Sequence, residues 1–150
     1  IWRLFYDRDG FIVTDEKPGK DELKSLHKLI GKVRADIENF SFNTAVSAFM
    51  IAVNELTDLK CSKKDILEPL VVLLSPFAPH ISEELWAALG HEESITYAAF
   101  PEYVEAYTIE DNCTYAVSFN GKTRFTVDLP LDMSKEEVDA HVRSLDQTAK

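Results

Sequence analysis

Four lysines near the start of the chain form the first group of side chains that could do chemistry. Lys24, Lys28 and Lys32 follow Lys20 at intervals of four residues, so in a helix they wind slowly along one face. This lysine row suits contact with the phosphates of a nucleic acid. The same pattern fits an ordinary solvated helix face, and the acidic residues Asp36 and Glu38 dilute its charge near the end.

A second cationic group surrounds the dipeptide Asn120-Gly121, which is typical of a type I′ β-turn. Alternating apolar residues on either side predict a hairpin with this turn at its tip. Lys122 and Arg124 would then stand beside Asn120 at an exposed place suited to sugar and phosphate contact. Strand-edge charges that prevent aggregation account for the two cations equally well.

The remaining reactive residues lack the spacing of a catalytic or metal site. Gly121-Lys122-Thr123 is similar to the end of a phosphate-binding loop, but the glycine that such a loop needs falls at Ala116, inside a predicted strand. His27 and His80 lie on apolar helices, where we expect packed imidazoles with one internal hydrogen bond. His91 and His141 have no metal-site spacing. We therefore expect no catalytic residue, cofactor or metal ion in these 150 residues.

Composition limits the kind of protein and the extent of any contact with nucleic acid. The formal net charge is −10 at pH 7, whereas phosphate contacts need lysine and arginine, so such contact must be local. Hydrophobic residues make up 45% of the chain, enough for a packed core, and no apolar run reaches the ~20 residues of a membrane span. Cys61 and Cys113 match no metal spacing and are expected to be free thiols in a reducing cytoplasm.

Helical periodicity predicts a bundle in the first two-thirds of the chain. The clearest helix covers Asp21–Phe40. A second, from about Thr44 to Leu59, is capped by Ser41 or Asn43. Its alanines allow close approach of another helix, and its predicted buried stripe consists of Val46, Phe49, Met50, Val53 and Leu56.

Two further helices complete the predicted bundle. The third, about Lys64 to Leu74, follows a possible capping box at Ser62 and Asp65. Because it contains Pro69, it either begins near Glu68 or kinks there. It should be the most buried helix, since its second half is apolar all round. Pro79 suits the first turn of the fourth helix, and Gly90 is placed to end it. The connector 91–113 should lie over the bundle.

After residue 111 the apolar period changes from that of helices to that of strands. The hairpin around Asn120-Gly121 is followed by Ser134-Lys-Glu-Glu137, a capping box that opens a helix to about Gln147. We therefore predict a mainly α fold with two domains, a helical bundle with its connector over 1–111 and a small, incomplete ββα (α+β) unit over 112–150. Both ends of the sequence look cut, and we expect further strands beyond Lys150 because a lone hairpin with one helix is marginal.

Several strings resemble the helical anticodon-binding domain of class I aminoacyl-tRNA synthetases. The most specific is Ser75-Pro-Phe-Ala-Pro-His-Ile-Ser-Glu-Glu-Leu-Trp86, joined by Asp36-Ile-Glu-Asn-Phe-Ser-Phe-Asn-Thr-Ala45 and by Phe100-Pro101-Glu102, which has Phe in place of the family's Trp. Met133-Ser134-Lys135 matches the core of the family's nucleotide loop without its flanking residues, and the helix cap explains it. The resemblance implies a non-catalytic, tRNA-binding segment of an enzyme that uses ATP and Mg²⁺ elsewhere in its chain.

The hairpin sequence indicates which amino acid the resembling synthetases handle. Val117-Ser-Phe-Asn-Gly-Lys-Thr-Arg124 resembles the start of the C-terminal domain of bacterial leucyl-tRNA synthetases, although the family usually has Gln-Val where this chain has Ser118-Phe119. The resemblance implies recognition of tRNA(Leu) by its backbone and shape. The open alternatives are a structural or protein-interaction module, which the acidic charge favours, and the equivalent region of an isoleucyl-, valyl- or methionyl-tRNA synthetase.

Overall fold

The computed structural model describes residues 1–109, 112–119, 122–130, 133 and 135–144. Beyond residue 109, side chains are described only at 126, 127, 133 and 135–142. The chain divides into two compact units, 1–108 and 109–150, and each is described by itself. None of the described helices is long and apolar enough to cross a membrane.

The first unit is helical, as its periodicity predicts. Five α-helices follow one another in chain order: α1 (Trp2–Phe5), α2 (Lys20–Glu38), α3 (Phe42–Asp58), α4 (Lys64–Leu74) and α5 (Pro79–Ala88). Two short 3₁₀ turns, Ile95–Tyr97 and Glu105–Tyr107, lie in the connector. The predicted mainly α fold class is thus confirmed.

Helix α4 supplies the centre of the core, as its apolar sequence predicts. Six of its eleven residues are buried: Ile66, Leu67, Leu70, Val71, Leu73 and Leu74. Pro69 lies inside the helix, which begins at Lys64. The predicted roles of Pro79 at the start of α5 and of Gly90 after its end are both confirmed.

The predicted buried face of α3 is partly wrong. Phe49 and Leu56 are buried, but Val46 is 47% exposed and Met50 is 65% exposed. Ala45 and Ala52 are buried in their place. Helix α3 is therefore rotated so that Ala45 and Ala52 face the core, and Val46 and Met50 face outward.

Two predicted N-terminal caps are not made. Ser41 is the N-cap residue of α3, but its side chain does not cap the helix. The box predicted at Ser62 and Asp65 is replaced by an N-cap at Lys63 without a side-chain bond. The backbone on both sides of Lys63 instead pairs with Thr14. The Thr14 N–H donates to the Ser62 carbonyl and the Lys64 N–H donates to the Thr14 carbonyl, both at 2.8 Å.

Three helices of the first unit end in the same left-handed arrangement. The residue after the C-cap has positive φ in each: 55° at Phe40, 53° at Lys60 and 98° at Gly90. The next residue donates its N–H to a carbonyl five positions back, as Ser41 does to Asp36 and Cys61 does to Leu56. These are Schellman motifs, which glycine usually closes.

The second unit contains the predicted hairpin. Strands β1 (Asn112–Phe119) and β2 (Lys122–Pro130) are antiparallel, with Phe119 opposite Lys122. Helix α6 (Lys135–Ser144) follows. The turn type at 120–121, the capping residue Ser134 and the predicted end of the helix near 147 lie outside the described residues.

Candidate functional site

The lysine row borders a groove between α2 and α3. Lys28 and Lys32 line this groove, whose volume is about 440 Å³, and half of its other lining residues are apolar: Leu29, Ala48, Ile51 and Ala52. On the α2 side of the groove, Ser25 donates a hydrogen bond of 2.6 Å to the Glu55 carboxylate of α3. The groove therefore combines cations at its edge with one carboxylate, which confines any phosphate to the lysine side.

Lys32 is held by a neighbouring carboxylate. Its Nζ lies 2.5 Å from Oδ1 of Asp36, one turn further along α2. The hydrogen bond from Lys32 lowers the pKa of Asp36, while burial of that carboxyl opposes the shift. Because this pair neutralises Lys32 locally, Lys32 is a weak candidate for an external anion. Of the neighbouring lysines in the row, Lys24 is half-buried and Lys28 is exposed.

The hairpin cations lie on β2 next to an irregularity of the ladder. Val117 pairs with Phe125 and Ser118 with Thr123, so Arg124 is the extra residue of a β-bulge. A bulge changes the direction in which a strand presents its side chains. Lys122 is the first residue of β2. The side chains of Lys122 and Arg124, and Asn120 as a whole, lie outside the described residues, so their role stays a prediction.

The predictions for the two helical histidines have opposite outcomes. His27 is buried and accepts one internal hydrogen bond at Nδ1 from the N–H of Val104, at 3.2 Å, as expected. His80 is exposed, and the prediction that it packs internally is wrong. It follows Pro79 in the first turn of α5, where the buried side is formed by Ser82 and Leu85.

The remaining two histidines lie in different surroundings. His91 stacks on Trp86 with ring centroids 3.6 Å apart, and its Nε2 lies 3.1 Å from a carboxylate oxygen of Glu68. His141 is exposed on α6. Within the described residues, no three histidine, cysteine or acidic side chains meet in a group that could hold a metal ion.

A polar cluster that the sequence did not predict joins the start of α2 to the segment just before α4. Glu22 accepts from the N–H of Gly19 at 2.6 Å and from Lys63 Nζ at 2.8 Å. Burial alone would raise the pKa of Glu22, but the hydrogen bonds from Lys63, Gly19 and Cys61 together lower that pKa. The same carboxylate raises the pKa of Lys63. Glutamate three residues after Gly19 is a visible helix-start signal, but the partner 41 residues away has no local signal.

The Cys61 thiol belongs to this cluster. Its side chain is 2% exposed, and burial raises its pKa to about 11, with Glu22 adding to the shift. A thiol held neutral at physiological pH is a poor nucleophile. It is free, as predicted; the side chain of Cys113 lies outside the described residues.

The connector passes over one face of α2. We call residues 98–108 the strap. Three α2 residues at the helical spacing i, i+4 and i+7 contact it: His27, Gly31 and Arg34. Arg34 lies 5.2 Å from the ring centroid of Phe100 and donates to the Pro101 carbonyl at 3.4 Å. The expectation that this connector lies over the bundle is confirmed for the strap.

A family model for the anticodon-binding domain of tRNA ligases matches residues 20–139, which include α2 to α5, the strap and the hairpin. The chain belongs to this anticodon-binding domain family.

Relatives of the anticodon-binding domain family extend the match to the whole chain. The leucine–tRNA ligases of Christiangramia forsetii and Porphyromonas gingivalis are 57% and 56% identical to it over 150 residues. Each match covers 100% of this chain and 16% of the relative. The chain thus spans about one-sixth of the length of these relatives.

A solved structure supports the fold. It is the crystal structure of the ternary complex of Agrobacterium radiobacter K84 LeuRS with tRNA and LeuAMS. The TM-score is 0.64 at 34% sequence identity, and the match covers 92% of this chain and 18% of that chain.

Proposed function

We propose that this chain is the tRNA-binding, non-catalytic part of a leucine–tRNA ligase, which joins leucine to tRNA(Leu) with ATP and Mg²⁺ bound elsewhere in the enzyme. The observation that supports it most is the identity of 57% to a leucine–tRNA ligase along all 150 residues. That match includes the hairpin, whose sequence resembles leucyl-tRNA synthetases more than the isoleucyl, valyl or methionyl enzymes. A cytoplasmic location is part of the same proposal.

The proposed contact is with the sugar-phosphate backbone and shape of the RNA. The net charge of −10 leaves room only for local phosphate contacts. The candidates are Lys24 and Lys28 on the α2 side of the bundle and Lys122 and Arg124 at the hairpin. Contacts of this kind position an RNA without reading its bases.

A salt-dependent titration tests the proposal. The 150-residue chain is titrated with tRNA(Leu) between about 50 and 200 mM salt, and the variant Lys122→Ala/Arg124→Ala is compared with it. We expect weaker binding and a salt slope reduced by roughly 0.7–0.9 for each phosphate that the variant no longer neutralises. The matched control, Arg8→Ala/Lys17→Ala, removes the same charge from the exposed loop after α1 and should leave the slope nearly unchanged.

A structural or protein-interaction role is the second candidate, because the groove carries residues of both signs and the chain is acidic overall. It predicts no binding of tRNA even at about 50 mM salt. If the hairpin variant and its control show equal salt slopes of tRNA binding, Lys122 and Arg124 do not contact the RNA. The lysines of α2 can then be tested by the same titration.

A further inference from the structure

The strap is fastened to α2 by contacts of different kinds. Arg34 holds its beginning through Phe100 and Pro101. In the middle, the Tyr103 ring lies against Gly31, where an added Cβ would come within 3.1 Å of it. At its end, His27 receives the Val104 N–H and stacks on Tyr107 with ring centroids 4.7 Å apart. The strap ends at Thr108, and the second unit begins at the next residue.

The hydrogen bond at His27 depends on the charge of the ring. A neutral imidazole has one nitrogen that accepts and one that donates, whereas both nitrogens of the imidazolium donate. Because Nδ1 accepts from Val104, the ring must be neutral when the strap is closed. Protonation would place a second N–H against the Val104 N–H and leave that backbone donor without its acceptor.

The surroundings of His27 favour the neutral ring. Its side chain is almost fully covered, although the strap above it is largely exposed. Burial lowers the pKa of His27. The titratable or charged groups adjacent to the contact, on the strap and on α2, are Tyr103, Glu105, Tyr107, Lys24 and Lys28.

We infer that His27 is a positioning residue, whose neutral ring latches the strap to α2 and fixes the point where the chain enters the second unit, and whose protonation releases it. This inference rests on the proposed function, because the second unit bears the hairpin cations. Because Arg34 still holds Phe100 and Pro101, the released part is a flexible linker of about seven residues, 102–108, with a root-mean-square span of roughly 15 Å. Such a linker lowers the effective concentration at which the hairpin meets an RNA already held by the bundle.

The latch itself is tested without RNA, on the 150-residue chain. Protection of the Val104 amide from hydrogen exchange is measured between about pH 7.5 and pH 5 for the wild type, His27→Asn and His27→Ala. Asparagine keeps an acceptor at the position of Nδ1 but does not titrate. We expect protection to fall with pH in the wild type, to stay constant in His27→Asn, and to be lost at every pH in His27→Ala.

Two exchange results would overturn the latch. One is the same pH profile for the wild type and His27→Asn, which would mean that another group controls the strap. The other is full Val104 protection in His27→Ala. If His27→Ala does not fold, the pH profiles of the wild type and His27→Asn still show whether His27 holds the strap.

Binding of tRNA(Leu) at about pH 7.5 and fixed salt then tests the positioning role. We expect His27→Ala to lose at least about threefold in affinity and His27→Asn to stay within about twofold of the wild type. Equal affinity of His27→Ala and the wild type would refute positioning. If the wild type binds no tRNA, the proposed function is refuted. The hydrogen-exchange experiment would still show whether His27 holds the strap.

Discussion

Lys63 and Glu22 form an ion pair of 2.8 Å across 41 residues of sequence, at the point where α2 and α4 both begin. The Glu22 side chain is 6% exposed and that of Lys63 is 21% exposed. The same carboxylate closes the first turn of α2 through the Gly19 N–H. One buried group therefore fixes the start of a helix and its position against the central helix of the core.

Replacing Lys63 by Met should destabilise the chain by about 2 kcal/mol, because it leaves a buried carboxylate without its charged donor. Urea unfolding monitored by circular dichroism measures this change. Lys17→Met, in an exposed loop, is the control and should change the free energy of unfolding by less than about 0.5 kcal/mol. A destabilisation no larger than that of the control would show that the pair contributes nothing to stability.

The pair also predicts how stability varies with pH. The pKa of Glu22 is lowered from 4.5 in the folded chain, so its contribution is complete above about pH 4.5 and is lost as pH falls through the folded value. Between about pH 6 and pH 3, the wild type should therefore lose more of its free energy of unfolding than Lys63→Met does. Parallel pH profiles of the two proteins would contradict this assignment.

Glycine should be favoured over alanine at position 40, where the backbone is left-handed. Phe40 has φ of 55° and is 81% exposed, so its side chain contributes little burial while its Cβ strains the backbone. We expect Phe40→Gly to be more stable than Phe40→Ala by about 0.5–1 kcal/mol, because both lose the ring and only alanine keeps the Cβ. Thermal or urea unfolding measures this difference, and equal stabilities would show that the left-handed residue is unstrained.

Gly31→Ala combines two opposing effects that a double-mutant cycle separates. Alanine inside α2 should add up to about 1 kcal/mol of helix stability, but its Cβ would lie 3.1 Å from the Tyr103 ring. The gain in unfolding free energy should therefore be larger in a Tyr103→Ala background than in the wild type. If Gly31→Ala adds the same unfolding free energy in both backgrounds, the Tyr103 ring moves aside without loss of stability.

Cys61 should resist alkylation while the chain is folded. A pKa raised from 9.0 to about 11 reduces the thiolate fraction about a hundredfold, and burial adds to this protection. In a Cys113→Ser background, iodoacetamide at about pH 8 should label the native chain at least about a hundred times more slowly than the chain in guanidinium. Comparable rates, followed by mass spectrometry, would show that Cys61 is accessible in the folded state.

The local sequence determined the elements of this protein. The 3.6-residue period of α2, the apolar second half of α4, Pro79 and Gly90 at the two ends of α5 and the alternation around Asn120-Gly121 are all signals within one turn or strand. The same applies to family membership, since the strings at Asp36–Ala45 and Ser75–Trp86 are local patterns. The ends of α2 and α3 are harder to locate because Phe40 and Lys60 occupy positions where glycine is expected.

Only the tertiary structure decided which faces and partners these elements use. Val46 and Met50 share the helical period of Phe49, but α3 buries Ala45 and Ala52 instead and leaves these two side chains exposed. Glu22 meets Lys63, and His27 meets Val104, across 41 and 77 residues. Such contacts arise from the packing of whole helices and depend on the position of every element at once, so no local pattern predicts them.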